Sequence, residues 1–287
     1  MSTILRYLYK KTSKTQKINE VVPQRDWQRT NLFAIITWGS TATSWISKIL
    51  NHHPEIFCVH ELALVLNQSK LFSSNDFWDK FDPIDYMKIV ARTSHHEVKG
   101  DVHSFRPKDI PQLKEYFGKN FSSVVIEREP ISRLKSTMVM HNSQISKGYK
   151  FFDTRLVNYT ILRKKKIHLP ESNYKNKLFV KAVNALNNIE AEVDYNCGKM
   201  YRMEDLISDP KHLRSLIEEI SSGRLDKDDD YADDLLNKMI KTSTTNPRAS
   251  KEKIEFEDWQ IDVIKKVVNE KAWKLYSELG YEKPSFL

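Results

Sequence analysis

The sequence predicts an α/β fold of three layers, in which a central and mainly parallel sheet of about five strands is flanked by helices. Short β-branched or apolar runs alternate along the chain with longer segments of helical period, and this alternation is typical of βαβ units. With 287 residues, of which 40% are hydrophobic, the chain is also large enough to bury a sizeable core. Ligands in such folds bind beyond the carboxyl ends of the strands, so the residues that follow each strand are the first candidates for function.

Five segments carry the strand pattern and six carry the helical pattern. The predicted strands are 32–37, 56–60, 97–102, 123–128 and 199–204. The predicted helices are 43–52, 83–93, 108–118, 131–141, 153–166 and 175–193. The region 142–195 is rich in Lys, Asn and Tyr and lacks strong strand signals, which favours a helical and partly exposed part of the molecule.

At the carboxyl end, residues 259–281 predict one long amphipathic helix that ends at Gly280, since glycine favours the backbone conformation that terminates helices. Its apolar positions form a single stripe that would pack on the body of the protein. They are Ile261, Ile264, Val268, Ala272, Leu275 and Leu279.

Composition and charge predict the organisation and the kind of partner. A basic leader over 1–30 precedes a single domain over 31–287, and a net charge of +8 favours anionic partners. Two cysteines, Cys58 and Cys197, are too few for a disulfide framework, and Cys58 falls in a predicted buried strand. No apolar run is long enough to span a membrane. We therefore expect a reducing, cytoplasmic location.

The first predicted strand is followed by a run of small residues, "GSTATSW", that opens a helix. Gly39, Ser40, Thr41, Ala42, Thr43 and Ser44 precede the helical stretch that begins at Trp45. A helix N-terminus with small neighbours can bind an anion through its unpaired N–H groups, whereas an ordinary capped turn needs the same residues. Ser44 and Trp45 stand where a nucleoside-triphosphatase loop needs Gly and Lys, so triphosphate chemistry is not expected.

A second segment, "SSVVIEREPISRLKS", also leads from a strand into a helix. Arg128 ends the strand, Pro130 is suited to the first helical turn, and Arg133 and Ser136 share a helical face. Two fixed guanidiniums and a hydroxyl suit a phosphate group. The alternative is ion pairing of the arginines with Glu127 and Glu129 at the surface.

Together, "GSTATSW" and "REPISRLKS" resemble the nucleotide-binding signature of sulfotransferases that use 3'-phosphoadenosine 5'-phosphosulfate (PAPS). The resemblance implies the P-loop-like sulfotransferase fold. It also implies that the first loop, over Gly39 to Trp45, holds the 5'-phosphosulfate, and that Arg128 and Ser136 hold the 3'-phosphate. Three further stretches look like other parts of that family: "LNHHPEIFCVHE", "YRMEDLISDP" and "WKLYSELGY".

One departure from the family concerns the first loop. The family usually carries Lys or Arg there, and its charge supports the transferring group, but this chain has Ser40 at that position and Ala42 at the usual Gly. A cation at the reacting group is normally a large electrostatic contribution. We therefore expect either that Lys48 or Lys99 supplies the charge or that the protein is slow, altered or inactive.

Sulfuryl transfer to a hydroxyl needs a base for the acceptor proton, and two residues compete for that role. "VKGDVHSFRP" resembles a region of the cytosolic branch of the family, with His103 as the base. "CVHE" offers Glu61, which corresponds to the catalytic Glu of the carbohydrate and bacterial branches. The two remain open, with a slight preference for Glu61.

Further contacts follow from the resemblance. Arg248 and Lys251 lie in a late basic loop of the kind that closes over the 3'-phosphate in the family, and Trp45 and Tyr201 are candidates to contact adenine, although Trp45 could equally belong to the core. The acceptor is a small molecule or a glycan, with lipids and peptide tyrosines also open. No metal ion is required, because the following residues lack paired zinc-site spacing: His52, His53, His60, His95, His96 and Cys58.

The sequence thus predicts a PAPS-dependent sulfotransferase that acts on a hydroxyl or amine acceptor. One alternative is a protein of the same fold that binds the nucleotide but has lost transfer activity. Another is a basic protein that binds nucleic acid, which the motifs do not lead us to expect. A phosphotransferase would need magnesium and an acidic ligand that we cannot place, and the oligomeric state stays open.

Overall fold

The computed structural model has a central sheet of five parallel strands in the order β2-β3-β1-β4-β5. The strands are β1 Asn31–Ile36, β2 Ile56–His60, β3 Val98–Val102, β4 Phe121–Glu127 and β5 Lys199–Arg202. The structure describes residues 30–38, 43–60, 82–92, 94–146, 162–171, 173–225, 233–234, 237 and 255–287. All five strands predicted from the sequence are present, and the sheet is wholly parallel.

Ten α-helices follow one another in the described parts of the chain. They are α1 Thr43–Leu50, α2 Pro83–Arg92, α3 Ile110–Phe117, α4 Pro130–Ser146, α5 Tyr174–Asn184, α6 Asn188–Asp194, α7 Met203–Ser208, α8 Pro210–Ser221, α9 Asp258–Val267 and α10 Glu270–Glu278. Most of the predicted helix at 153–166 lies outside the described residues. Within the described residues, no helix is long and apolar enough to cross a membrane.

Alternate side chains of the strands pack into helices on the two faces of the sheet. Phe33 and Ile35 belong to one buried cluster with side chains of α1, α7 and α8. Leu32 and Ala34 belong to another, with side chains of α2 and α3. Because β1 is completely buried on both sides, the sheet is the middle of three layers, as the fold class predicts.

A third buried cluster joins α4, α5 and α6 to the carboxyl-terminal helices α9 and α10. The prediction of a single helix over 259–281 is wrong, because the helix is interrupted between α9 and α10. Val268 is extended and Asn269 caps α10 by accepting a hydrogen bond from the Ala272 N–H at 2.8 Å. With this interruption, Trp273 and Tyr276 are buried in the core together with three residues of the predicted stripe: Ile264, Val268 and Ala272. Gly280 does end α10, with φ +83°.

Candidate functional site

The carboxyl ends of all five strands meet at one edge of the sheet because every strand pair is parallel. β1 and β4 are neighbours at the centre, with Ile36 paired to Val125. The chain leaves β1 towards β2 and leaves β4 towards β5, so the two connections diverge above these strand ends. Such a divergence forms the crevice in which open α/β sheets bind ligands.

The loop after β1 leads directly into α1. Thr43 opens the helix and is half-buried, Ser44 is exposed, and Trp45 packs in part against the core cluster that α1 shares with the sheet. The first N–H groups of a helix have no partner within it and carry positive potential. Gly39, Ser40, Thr41 and Ala42 lie outside the described residues. The described part of this loop therefore provides a helix N-terminus flanked by two hydroxyls.

His60, the last residue of β2, contacts the start of α1. Its Nε2 atom lies 2.6 Å from the Thr43 hydroxyl oxygen, and the ring is half-buried. From the sequence, His60 was considered only as a metal ligand, and its contact with Thr43 was not predicted. The one signal in the sequence was its position at the end of a strand, which Glu61 shares; Glu61 itself lies outside the described residues.

His103 follows β3 directly and lies against the end of β1. Its Nδ1 atom is 2.6 Å from the Thr37 carbonyl oxygen, and its backbone N–H donates to the Ile35 carbonyl at 3.1 Å. A carbonyl only accepts, so Nδ1 carries the hydrogen and Nε2 is the basic nitrogen of the neutral ring. The backbone of His103 has φ +79°, a conformation that costs a non-glycine residue about 1–3 kcal/mol and clusters at functional sites.

Arg128 and Ser136 lie on the other side of β1. Arg128 is the first residue after β4 and is half-buried, and Ser136 is a half-buried residue of α4. The start of α4 is capped from within, because the Glu129 carboxylate accepts hydrogen bonds from the N–H groups of Ile131, at 2.9 Å, and Ser132. An anion near Arg128 would therefore depend on side chains rather than on the N–H groups of α4.

Arg133 does not serve as a second phosphate-binding guanidinium. It is 3% exposed, it forms an ion pair with Glu127, and it donates to the Tyr276 hydroxyl at 2.8 Å. This ion pair with Glu127 is the alternative expected from the sequence, but it is buried rather than at the surface. Arg133 thus stabilises the region behind the strand ends.

The structure places Lys99 and Tyr201 away from the crevice. Lys99 is the second residue of β3, is 2% exposed, and donates to the Ala91 carbonyl near the end of α2 at 2.6 Å. Tyr201 is 4% exposed within the core cluster, and its hydroxyl donates to the Ser215 carbonyl at 2.9 Å. Burial raises the pKa of this phenol. These positions do not support the predictions that Lys99 supplies the missing charge and that Tyr201 contacts adenine.

Lys48 also lies away from the start of α1. It is exposed in the last turn of that helix, whereas the anion would lie at the first turn. The late basic residues Arg248 and Lys251 are outside the described residues. Within the described residues, no three His, Cys, Asp or Glu side chains form a group that could hold a metal ion.

No family model and no curated protein matches the sequence. Fifteen chains of known structure match. One is a sulfotransferase from Alicyclobacillus acidocaldarius, with 14% identity and a TM-score of 0.48, over 90% of this chain and 98% of that one. Another is the sulfotransferase domain from the curacin biosynthetic pathway, with 12% identity and a TM-score of 0.48, over 89% of this chain and 99% of that one.

Proposed function

We propose that the protein is a sulfotransferase that transfers a sulfuryl group from PAPS to a hydroxyl or amine acceptor, with carbohydrates among the candidate acceptors. The observation that carries the proposal is the pairing of β1 with β4. It brings the loop before α1 and the Arg128 segment, which resemble the two nucleotide-binding motifs of the PAPS-dependent family, to adjacent strand ends.

The residues present fit an anionic nucleotide in two respects. The first turn of α1, with the hydroxyls of Thr43 and Ser44 beside it, suits the phosphosulfate end. Arg128, half-exposed at the neighbouring strand end, suits the 3'-phosphate, and Ser136 adds a hydroxyl on the helix that follows. Trp45, Arg248 and Lys251 remain candidates for further contacts with the nucleotide.

The nucleotide supplies an activated sulfuryl group when it is bound, and the protein must accept a proton from the acceptor. As the acceptor oxygen forms its bond to sulfur, the bond from sulfur to the phosphate oxygen breaks, and the acceptor proton passes to a base. His103 fits this role because the Thr37 carbonyl holds its hydrogen on Nδ1, which leaves Nε2 as the basic atom. Glu61, which follows β2, is the other candidate.

Among the described residues, His60 suits the charge that Ser40 cannot provide. It contacts Thr43 at the first turn of α1, where the phosphosulfate would lie, and a protonated ring there would partly replace the missing Lys or Arg. His103, as the base, would act on the acceptor side of the sulfur atom, opposite the departing phosphate oxygen.

The departure at Ser40 also favours a second candidate function, a nucleotide-binding protein without transfer activity. Such a protein would bind adenosine 3',5'-bisphosphate (PAP), the product, yet show no sulfuryl transfer with any acceptor. Turnover of radiolabelled PAPS in an acceptor screen, compared with PAP affinity on the same preparation, separates the two functions.

Calorimetric titration with PAP tests the nucleotide site directly. We expect micromolar binding that AMP, which lacks the 3'-phosphate, does not reproduce, and that Arg128→Ala abolishes. Arg163→Ala is the matched control, since Arg163 is an exposed arginine beyond the crevice elements. Absence of PAP binding in the wild-type protein would overturn the proposal. Salt-sensitive oligonucleotide binding that PAP does not displace would instead favour nucleic-acid binding.

A further inference from the structure

Two buried glutamates lie near a single arginine behind the ends of β1 and β4. Glu127, the last residue of β4, is fully buried, and Glu192 of α6 is 2% exposed. One oxygen of Glu127 accepts from Arg133, and one oxygen of Glu192 accepts from the indole N–H of Trp38. Arg133 in turn donates to Tyr276, whose hydroxyl donates to the Leu186 carbonyl at 2.9 Å. The guanidinium is thus committed to Glu127 and to Tyr276.

The second oxygens of the two carboxyls lack a donor. Glu127 Oε1 and Glu192 Oε2 are both buried, and no N–H or O–H group of the described residues has hydrogen-bonding geometry to either atom. The Arg128 backbone N–H lies close enough to the Glu127 carboxyl to favour its ionised form, but burial outweighs this effect and raises the pKa. The two carboxyls nevertheless lie within hydrogen-bonding reach of each other. A buried acceptor without a donor is costly, and two carboxylate oxygens cannot satisfy one another. One proton between them supplies the missing donor and satisfies both.

The balance of charge leads to the same result. Two ionised carboxyls beside one guanidinium would leave an uncompensated negative charge in the interior, which is strongly unfavourable. Among the described residues, the other titratable groups that act on the pair itself are Glu204 and Tyr276, and neither is a cation. The thiol of Cys197, on which Glu192 acts, also feels Asp109 and Lys114, but the Lys114 ammonium donates to the Asn196 carbonyl at 2.6 Å and does not act on either glutamate. Burial raises the pKa of Glu127, and burial together with the charge of Glu127 raises the pKa of Glu192 well above its usual range.

We propose that Glu127 and Glu192 share one proton, and that Glu192 acts through this pair as a positioning residue for the crevice between β1 and β4. Glu127 directly precedes Arg128, and Trp38 directly precedes the loop that begins at Gly39. The pair therefore connects the backbone at one anion-binding segment to the backbone at the other. The consequence for nucleotide affinity rests on the proposed function, whereas the shared proton and the fixed backbone do not.

The sign of the pH dependence follows from the raised pKa of Glu192. Its proton stabilises the fold fully at pH values below the unfolded-state pKa of a glutamate, and the stabilisation is lost as the pH rises through the folded-state pKa. Once the shared proton is lost, both carboxyls are ionised and repel each other. We expect the wild-type protein to become less stable, and the backbone at Trp38 to become less protected, as the pH rises from 4.5, the ordinary pKa of a glutamate.

Glu192→Gln is the decisive variant because its amide mimics the protonated carboxyl. Its carbonyl can accept from Trp38, and its NH₂ group can donate to Glu127 at every pH. Glu190→Gln removes the same charge from the same helix, at a half-buried residue that contacts Asn269 and Lys271 rather than the pair, and is the matched control. Glu192→Ala removes the contact to Trp38 and to Glu127 altogether.

Two readouts need no nucleotide. Urea denaturation at pH values rising from 4.5, the ordinary pKa of a glutamate, should show a loss of stability in the wild type and in Glu190→Gln that is absent in Glu192→Gln. Amide hydrogen exchange at Trp38 and over residues 43–45 should be about tenfold or more faster in Glu192→Ala than in the wild type, and Glu192→Gln should restore wild-type protection. A loss of stability with rising pH that persists unchanged in Glu192→Gln, or exchange at these residues that does not respond to Glu192→Ala, would overturn the proposal.

A third readout measures the coupling to the crevice. PAP affinity should fall with rising pH in the wild type, because the ionised pair no longer holds the backbone at Trp38 and Arg128. In Glu192→Gln the affinity should stay within about twofold of its neutral value, because the amide does not ionise. If PAP does not bind at all, the proposed function fails, and the urea and exchange results still decide the shared proton. If PAP binds with the same pH dependence in both proteins, the positioning role is overturned.

Discussion

The Nδ1 atom of His103 lies 2.6 Å from the Thr37 carbonyl oxygen, and this contact joins the residue after β3 to the residue after β1. The contact fixes both the tautomer and the orientation of the ring. It is accompanied by a left-handed backbone at His103, with φ +79°. A side chain held in this way at a strand end is suited to accept a proton at a defined position.

We expect His103→Asn to lower kcat for sulfuryl transfer by about 10²–10⁴-fold, the range that a general base contributes. Asn accepts the left-handed backbone readily, so the variant should fold and should bind PAP as tightly as the wild type. Steady-state kinetics together with calorimetry check this split. His95→Asn, at an exposed histidine before β3, is the control. A kcat that changes less than about threefold would assign the base to Glu61 instead.

Arg133→Met should destabilise the protein by about 3–5 kcal/mol, because it leaves the buried Glu127 carboxylate without its cation. Arg128→Ala, five positions earlier on a half-exposed side chain, should change the free energy of unfolding by less than about 1 kcal/mol. Urea denaturation of both variants provides the comparison. Equal losses in the free energy of unfolding would contradict the assignment of Arg133, rather than Arg128, as the arginine that stabilises the fold.

Gly198→Ala should be severely destabilising, by more than about 4 kcal/mol. Gly198 precedes β5 with φ +110°, and an added Cβ would lie 1.7 Å from the Ser123 carbonyl oxygen. Gly118→Ala is the control, since Gly118 has φ +54° and ψ −132° and no atom within 4 Å of the added Cβ, so it should cost only about 1–3 kcal/mol for the unfavourable backbone conformation. Thermal unfolding of the two variants should differ clearly, and similar losses would show that the close approach to Ser123 relaxes at little cost.

His141 on α4 should make the protein less stable at acidic pH. Burial, with a smaller contribution from the positive charge of Lys181, lowers the pKa of this histidine to about 4 from its ordinary value of 6.5. The folded state therefore resists protonation, and stability should fall as the pH decreases from 6.5 towards 4. His141→Asn should flatten this part of the stability profile, whereas His168→Asn, at an exposed histidine, should leave it unchanged. An identical profile in His141→Asn would contradict the assignment.

Strands β1, β2 and β4 could be predicted because each contains an apolar run that ends at a polar residue, such as the run that ends at Thr37. The more polar β3 and β5 were predicted from their place between segments of helical period. The helices that follow β1 and β4 were predicted from local signals, including Pro130. Residues 259–281 were predicted as one helix because their apolar period continues from Ile264 through Val268 to Ala272. The N-cap hydrogen bond of Asn269 and the packing of Trp273 and Tyr276 favour two helices instead.

Positions at the strand ends could also be predicted, but the partners of the side chains could not. Arg128 and Arg133 look alike in the sequence, and only the fold brings Tyr276 and Glu127 to the second of them. Lys99 was expected to supply charge, yet its place early in β3 directs its ammonium to the carbonyl of Ala91. His60 was overlooked because its partner, Thr43, comes from a different element.

The strand order has a consequence for how the protein folds. The central strand β1 pairs only with strands far along the chain, Leu32 with Lys99 on one side and with Phe121 on the other. Such non-local pairing delays folding, because long loops must close before any contact is gained. A chain still emerging from the ribosome cannot assemble the crevice until β4 has been synthesised. The crevice between β1 and β4 therefore forms late in folding, and a fragment that ends before Phe121 would leave the central strand β1 without its β4 neighbour.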